Sequence, residues 1–141
     1  MKELEFSYIG VLFTVEGKEY IAPLGSPKPK HLTMKNNIDF IKIDNGKLGV
    51  INLNNMIPVN FNVVKKIPID EIQNQKYRTL LDNQHNWIKS NQDMIKHKAN
   101  TLYQKVVNDK IKISIKNRCC DFKSLERCLD NWNQKCNDYG R

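Results

Sequence analysis

The sequence predicts an α+β fold, a small antiparallel β-barrel elaborated by C-terminal helices, and three observations carry that prediction. The first half runs in short aromatic and β-branched segments separated by hairpin signals. Beyond about residue 70 the apolar spacing changes to three and four, the period of helices. At 141 residues the chain has the length for one core rather than two. A single domain over residues 1–141 is therefore expected, β-rich from about 6 to 67 and helical from about 70 to 138.

Residues 6–15 and 18–24 flank Glu16-Gly17 and read as a first hairpin. Residues 38–43 and 48–53 form a second across Asp44-Asn45-Gly46, where Asn-Gly supplies positive φ angles cheaply. Residues 60–67 alternate through Phe61, Val63 and Lys65 between Pro58 and Pro68, giving a fifth strand. Five short strands joined by hairpins suggest a closed or half-closed barrel. Tyr77, Leu80, Leu81, Gln84, Trp87 and Ile88 then share one helical face. Ser90 is placed to cap a second helix whose inner face holds Met94, Ile95, Leu102, Tyr103 and Val106. Ile111, Ile113 and Ile115 alternate with Lys112, Ser114 and Lys116, which favours a short strand with a basic outer face over a loop. Asp121 is a good N-cap for a last helix striped by Leu125, Cys128, Leu129 and Trp132. Trp87 and Trp132 are expected in the core rather than as stacking platforms.

Composition narrows the class. An apolar content of 40% with 27% charged residues fits a globular protein and not a disordered one. No apolar run reaches bilayer length, and Met1-Lys2-Glu3-Leu4-Glu5 lacks the basic-then-apolar plan of a signal peptide. No membrane partner and a cytoplasmic location are expected. Cys119 and Cys120 are adjacent, with Cys128 and Cys136 following at intervals of eight. Without a Cys-x-x-Cys pair to grip zinc, and without an Asp/Glu/His cluster of metal spacing, reduced structural thiols and no metal or cofactor are expected.

The net charge of +8 is unevenly spread. Residues 1–60 carry seven Lys/Arg against six Asp/Glu, and residues 61–141 carry sixteen against nine. Residues 96–118 hold seven basic side chains and one acid, Asp109. Such an excess marks attraction to a polyanion, nucleic acid by default, although a lysine-rich solvated helix face would look the same.

The stretch YIAPLGSPKPKH, residues 20–31, carries the chemistry. An apolar run leads into Pro23, Gly25 and Pro27, and the turn then presents Ser26, Lys28, Lys30 and His31. Strand ends that feed Pro/Gly turns are where rigid scaffolds display reactive groups. A hydroxyl, fixed positive charge and an imidazole suit a phosphodiester. Read by spacing alone, the same loop is an ordinary solvated hairpin.

Three strings resemble one family: YIGVLFTVEGKEYIAPLGSPKPKH at residues 8–31, KLGVINLNNMIPV at 47–59 and CCDFKSLERC at 119–128. In this order they are similar to the ToxN/AbiQ family, the protein halves of type III toxin–antitoxin systems. The resemblance implies an endoribonuclease on an SH3-like barrel related to the Kid/MazF toxins. It also implies an inhibitory RNA partner folded into a pseudoknot, cellular or phage RNA as substrate, and a role in phage abortive infection. The family's Thr-Ser-x-Lys loop falls on Gly25, Ser26, Pro27 and Lys28, so the threonine is replaced by glycine. Members carry a further segment before the first strand that supplies a tyrosine and a lysine. That segment is expected to be absent here: either Lys2 covers part of its role, or the chain is a truncated or degenerate form.

RNA brings its own nucleophile, the 2′-hydroxyl, so the expected chemistry is metal-independent. Lys28 is expected to stabilise the phosphorane oxygens and Ser26 to donate to the same phosphate or orient the 2′-hydroxyl. Lys30 and His31 are assigned to RNA binding, His31 being open to an acid–base role as well. Lys110, Lys112, Lys116 and Arg118 are the expected surface for the inhibitory RNA, in a ring-like protein–RNA assembly. Two alternatives stay open: a cleavage-defective RNA-binding remnant of such a toxin, and a structural or protein-interaction domain.

Overall fold

The computed structural model describes residues 10–65 and 68–139. Strands β1 (Gly10–Val15) and β2 (Lys18–Gly25) form the expected hairpin, with Gly10 opposite Pro23 and Val15 opposite Lys18. Glu16 and Gly17 both take positive φ, 50° and 74°, which lets two residues reverse the chain. Residues 6–9 of the expected first strand lie outside the described residues.

β2 carries the sheet. Its middle pairs with β5 (Ile57–Pro58), Tyr20 against Pro58 and Ile21 against Ile57. Its end pairs with β4 (Val50–Ile51), Leu24 against Ile51 and Gly25 against Val50. β4 in turn pairs with β3 (Ile41–Lys42). The order is β1-β2-β4-β3, with β5 on β2, all antiparallel. Among the described residues β1 and β3 do not meet, so the sheet is a half-barrel rather than a closed one.

The second hairpin is shorter than expected. Asp44, Asn45 and Gly46 run consecutively at positive φ, 51°, 56° and 94°, and Gly49 adds 102°. So many left-handed residues make a wide, tightly hydrogen-bonded loop, closed by Ile43 N–H to Gly49 O at 2.9 Å, and leave two residues per strand. The fifth strand is displaced. Residues 61–63 form a single 3₁₀ turn, because the Asn60 side chain accepts the Asn62 N–H at 2.9 Å and competes with any ladder. Pairing with β2 is made upstream by Ile57–Pro58.

Among the described residues, five α-helices follow or interrupt the strands: α1 (Lys30–Thr33), α2 (Gln75–Ser90), α3 (Gln92–Val107), α4 (Ile113–Lys116) and α5 (Phe122–Tyr139). Ser90 is the last residue of α2 rather than a cap. Asn91 forms the joint, and its side chain donates to the Trp87 carbonyl at 2.7 Å. Asn74 caps α2 by accepting the Tyr77 N–H, and Asp121 caps α5 by accepting from Ser124 N–H, as expected. The alternation at 111–115 does not make a strand. It pairs with no strand among the described residues and winds into the single turn α4, which buries Ile115 and leaves Ile113 68% exposed.

The core lies between the inner face of the half-barrel and α3, α4 and α5, built on Tyr20, Ile43, Ile51, Leu53, Met56, Ile95, Leu102 and Phe122. Trp87 packs against it. Trp132 and Met94, expected inside, are exposed, because α5 turns Phe122 and Glu126 inward and α3 turns Ile95 and Ala99. Cys119 and Cys120 are half-buried, whereas Cys128 is exposed. No helix among the described residues is long and apolar enough to cross a membrane.

Candidate active site

β2 ends at Gly25, and the next four residues deliver the chain into α1. Pro27 and Pro29 fix two φ angles and remove two donors, so the loop has few conformations to lose on ordering. It is held from beneath by one side chain. His31 is only 4% exposed, and its Nδ1 accepts the Lys28 N–H at 3.1 Å while the Lys28 carbonyl accepts the His31 N–H at 2.9 Å. The imidazole therefore carries its hydrogen on Nε2 when neutral. Burial, then the positive charges of Lys30, Lys28 and Lys42, hold its pKa below the ordinary value of 6.5.

The 43–49 loop supports this turn from the side. A Cβ on Gly46 would fall on the His31 carbonyl, and one on Gly49 would fall on the Gly25 carbonyl. Both glycines also sit at positive φ. The close approach of two loops thus depends on glycine twice. At Gly25 itself an added Cβ would lie 3.0 Å from Val50 Cγ2 and 3.4 Å from Asn52 Nδ2.

Of the residues singled out from sequence, Ser26, Lys28 and Lys30 stand exposed around the buried His31. Lys42 joins them. It is the polar residue between Ile41 and Ile43, and the register Lys42–Val50–Gly25 brings it two strands across from the end of β2. Asn52 approaches from β4's far side of the same ladder, its N–H donating to the Pro23 carbonyl at 2.9 Å. The sequence signal for Lys42 was its outward place in an alternating run; only the strand order shows what it faces. The surface is a hydroxyl and an amide ringed by ammonium groups. A cavity of about 610 Å³ between β1, β2 and α2 is lined by Val11, Leu12, Leu24, Lys65 and Ile88 among others, and Ser26, Lys28, Lys30 and Lys42 lie outside its lining.

Lys110, Lys112, Lys116 and Arg118 form a second basic region, around α4. Lys110 and Lys112 are exposed, Lys116 is paired with Asp109, and Arg118 donates through Nε to the buried Asp39 at 2.9 Å. Asp39 precedes β3 and Lys42 ends it, so the two basic regions lie toward opposite ends of the β3–β4 pair. Among the described residues no three His, Cys, Asp or Glu side chains cluster.

A third polar cluster holds the fold. Glu126 of α5, 5% exposed, accepts from Tyr20 OH at 2.6 Å and Tyr103 OH at 2.7 Å, with Lys123 at 3.6 Å and Lys18 at 4.0 Å from its other oxygen. Burial would push this carboxyl up, but the hydrogen bonds from Tyr20 and Tyr103, helped by Lys123 and Lys18, outweigh it and hold the pKa below the usual range.

Residues 2–130 match the protein family described as toxin ToxN of the type III toxin–antitoxin system. The chain is 32% identical over 139 residues to the endoribonuclease ToxN of Bacillus thuringiensis subsp. kurstaki, covering 94% of this chain and 68% of that protein. It is 31% identical over 141 residues to the endoribonuclease ToxN of Pectobacterium atrosepticum, covering 96% and 75%. Two solved structures share the fold. One, from work on a processed non-coding RNA that regulates a bacterial antiviral system, superposes with a TM-score of 0.71 at 29% identity over 88% of this chain and 77% of that one. The other, from work on selective toxin inhibition by a non-coding RNA pseudoknot in type III systems, gives 0.70 at 28% over 89% and 79%.

Proposed function

The chain belongs to the ToxN family of type III toxin–antitoxin toxins, and from that premise we propose that it is an endoribonuclease held in check by direct binding of a pseudoknotted RNA. The observation that carries this reading is the Ser26–Lys28 loop, locked over a buried histidine and ringed by Lys30 and Lys42. Such a loop is built to receive a phosphate. The half-barrel is read as a variant of the SH3-like barrel of the Kid/MazF toxins, opened at the β1 and β3 edges.

The reaction runs through the RNA's own 2′-oxygen. As that oxygen attacks the adjacent phosphorus, negative charge builds on the two non-bridging oxygens. Lys28 sits where an ammonium can meet that charge, and Ser26 Oγ–H donates to the same group. The 2′-hydroxyl gives its proton to solvent as its bond to phosphorus forms, the P–O5′ bond breaks, and the 5′-oxygen takes a proton back from solvent, giving a 2′,3′-cyclic phosphate and a 5′-hydroxyl. His31 accepts the Lys28 N–H through Nδ1 and its ring is buried, which supports a holding part for it rather than one as acid or base. Its part is to keep the loop in shape. The cation set supplies the charge stabilisation for which other nucleases recruit a metal, which supports a metal-independent route.

The test is incubation with labelled single-stranded RNA. Cutting that survives EDTA and leaves a 2′,3′-cyclic end supports the reading. Removing one such donor costs about two to three decades of rate, so Lys28→Ala and Ser26→Ala should each lose that much. A product bearing a 5′-phosphate would falsify the mechanism. Tight, salt-dependent RNA binding with no cutting would instead identify a cleavage-defective RNA-binding form.

A further inference from the structure

We propose that Asp39 is a positioning residue that presents the Arg118 guanidinium to a phosphate of the RNA strand a few nucleotides from the Ser26–Lys28 loop. The inference rests on the reading of the protein as an RNA-binding nuclease and adds to it a fixed second contact.

The geometry is that of a held fork. Asp39 is 1% exposed, and its Oδ2 accepts from Arg118 Nε and from Asn54 Nδ2, each at 2.9 Å. The same three segments are tied by backbone: Asn54 N–H donates to the Asp39 carbonyl at 2.9 Å, and Cys120 N–H to the Asn54 carbonyl at 3.1 Å. Arg118 is thus anchored by a buried carboxylate on one edge of its plane. Yet 48% of its side chain stays exposed, and no partner for its Nη groups is found among the described residues.

A clamp that served only the fold would bury the guanidinium along with the carboxylate. Here the Nε edge is spent inward, while the side chain is 48% exposed and its two Nη groups have no partner among the described residues. The guanidinium plane matches two phosphate oxygens, and an ammonium cannot reproduce it. Asp39 also leaves Oδ1 buried without a partner. Folding retains an incompletely satisfied carboxylate at this point, which is intelligible when the residue serves the guanidinium's placement rather than its own solvation. Its charge offsets that of Arg118, so the pair adds a directional contact more than long-range attraction. Long-range attraction falls instead to exposed Lys110 and Lys112 nearby. Because Asp39 lies two residues before β3 and Lys42 ends it, a strand of RNA following this edge of the sheet would meet Arg118 and then the loop.

Binding of a 5′-fluorescein-labelled, fully 2′-O-methylated single-stranded RNA of 20 nucleotides, which the protein cannot cut, tests this by anisotropy. Arg118→Ala and Arg118→Lys should both weaken binding by about tenfold, the value of a lost charge-assisted contact. Asp39→Asn should weaken it about three- to tenfold in the wild-type background and not at all in an Arg118→Ala background. An equal Asp39→Asn penalty in both backgrounds overturns the proposal, since Asp39 would then act through the fold alone. Should Asp39→Asn fail to fold, the lysine variant decides: wild-type affinity in Arg118→Lys, with Lys28→Ala weakened, overturns the Arg118 contact while leaving the RNA reading intact. Absence of binding by the wild-type protein at low salt would overturn that underlying reading itself.

Discussion

His31 holds the reactive loop through one lone pair, and this makes the loop sensitive to acid. Protonation places a hydrogen on Nδ1, and the Lys28 N–H then has no acceptor. Burial and the Lys30, Lys28 and Lys42 charges depress its pKa in the folded protein. The unfolded chain therefore binds this proton first, near pH 6.5. Stability is full above that value and declines as pH falls toward the lower folded pKa. The cutting rate should accordingly fall as pH drops below 6.5 and through the lower folded pKa. His31→Asn, with Oδ1 near the position of Nδ1, should flatten that limb, whereas His31→Ala should impair the loop at every pH. An acid limb that persists unchanged in His31→Asn would sink this account. The sequence displayed His31 as a loop residue among lysines and gave no sign of its burial, because the burial comes from Gly46, fifteen positions away, packing on its carbonyl.

Two glycines and one carboxylate do the corresponding work for whole elements. Gly49→Ala adds a methyl against the Gly25 carbonyl at a φ of 102°, so the 43–49 loop and the end of β2 must part. Cutting should drop by about tenfold or more, because a small misplacement of positioned groups has that effect. Helical content should stay constant by circular dichroism. Unchanged activity would mean that the loop tolerates displacement. For α5, Glu126→Leu leaves the hydroxyls of Tyr20 and Tyr103 without their acceptor, at about 1–3 kcal/mol each. Glu126→Gln should lose less and should weaken the acid sensitivity of the melting temperature. The carboxyl is depressed in the folded state, so its contribution is present above the unfolded value of about 4.3 and lost as pH falls through the lower folded one. A melting profile from pH 7 to 3 in which Glu126→Gln parallels wild type would contradict it.

The same elements show what could be read in advance. The Glu16-Gly17 hairpin, the helical faces around Leu81 and Leu102, and the Asp121 cap are local, and local chemistry specified them. The strand expected at 111–115 did not form: alternation over five residues becomes a strand only by pairing, and this segment pairs with no strand among the described residues. Trp132 failed because Phe122 and Glu126 fix which face of α5 turns inward, and Glu126 is a carboxylate that hydropathy assigns to solvent. Lys42 and Asp39 acquire meaning only from strand order.

At the scale of the whole molecule, two basic regions stand out among the described residues: the loop bearing Lys28, Lys30 and Lys42, and the α4 region bearing Lys110, Lys112 and Arg118. A folded RNA that touched one protein copy through the first region and a second copy through the other would make heterologous contacts. Contacts of that type close into rings when the rotation allows it and run on as filaments when it does not. A ring-like alternation of protein and RNA is therefore proposed. Mixing the protein with a pseudoknotted RNA should give one discrete species larger than a pair by native mass spectrometry. Reversing charge at Lys110 and Lys112 should stop closure and leave a binary complex, because the loop face still binds. Each phosphate contact removed should also lower the dependence of log affinity on log salt by about 0.7–0.9. A closed assembly that survives the double reversal, with its salt slope unchanged, would place the second RNA contact elsewhere on the molecule.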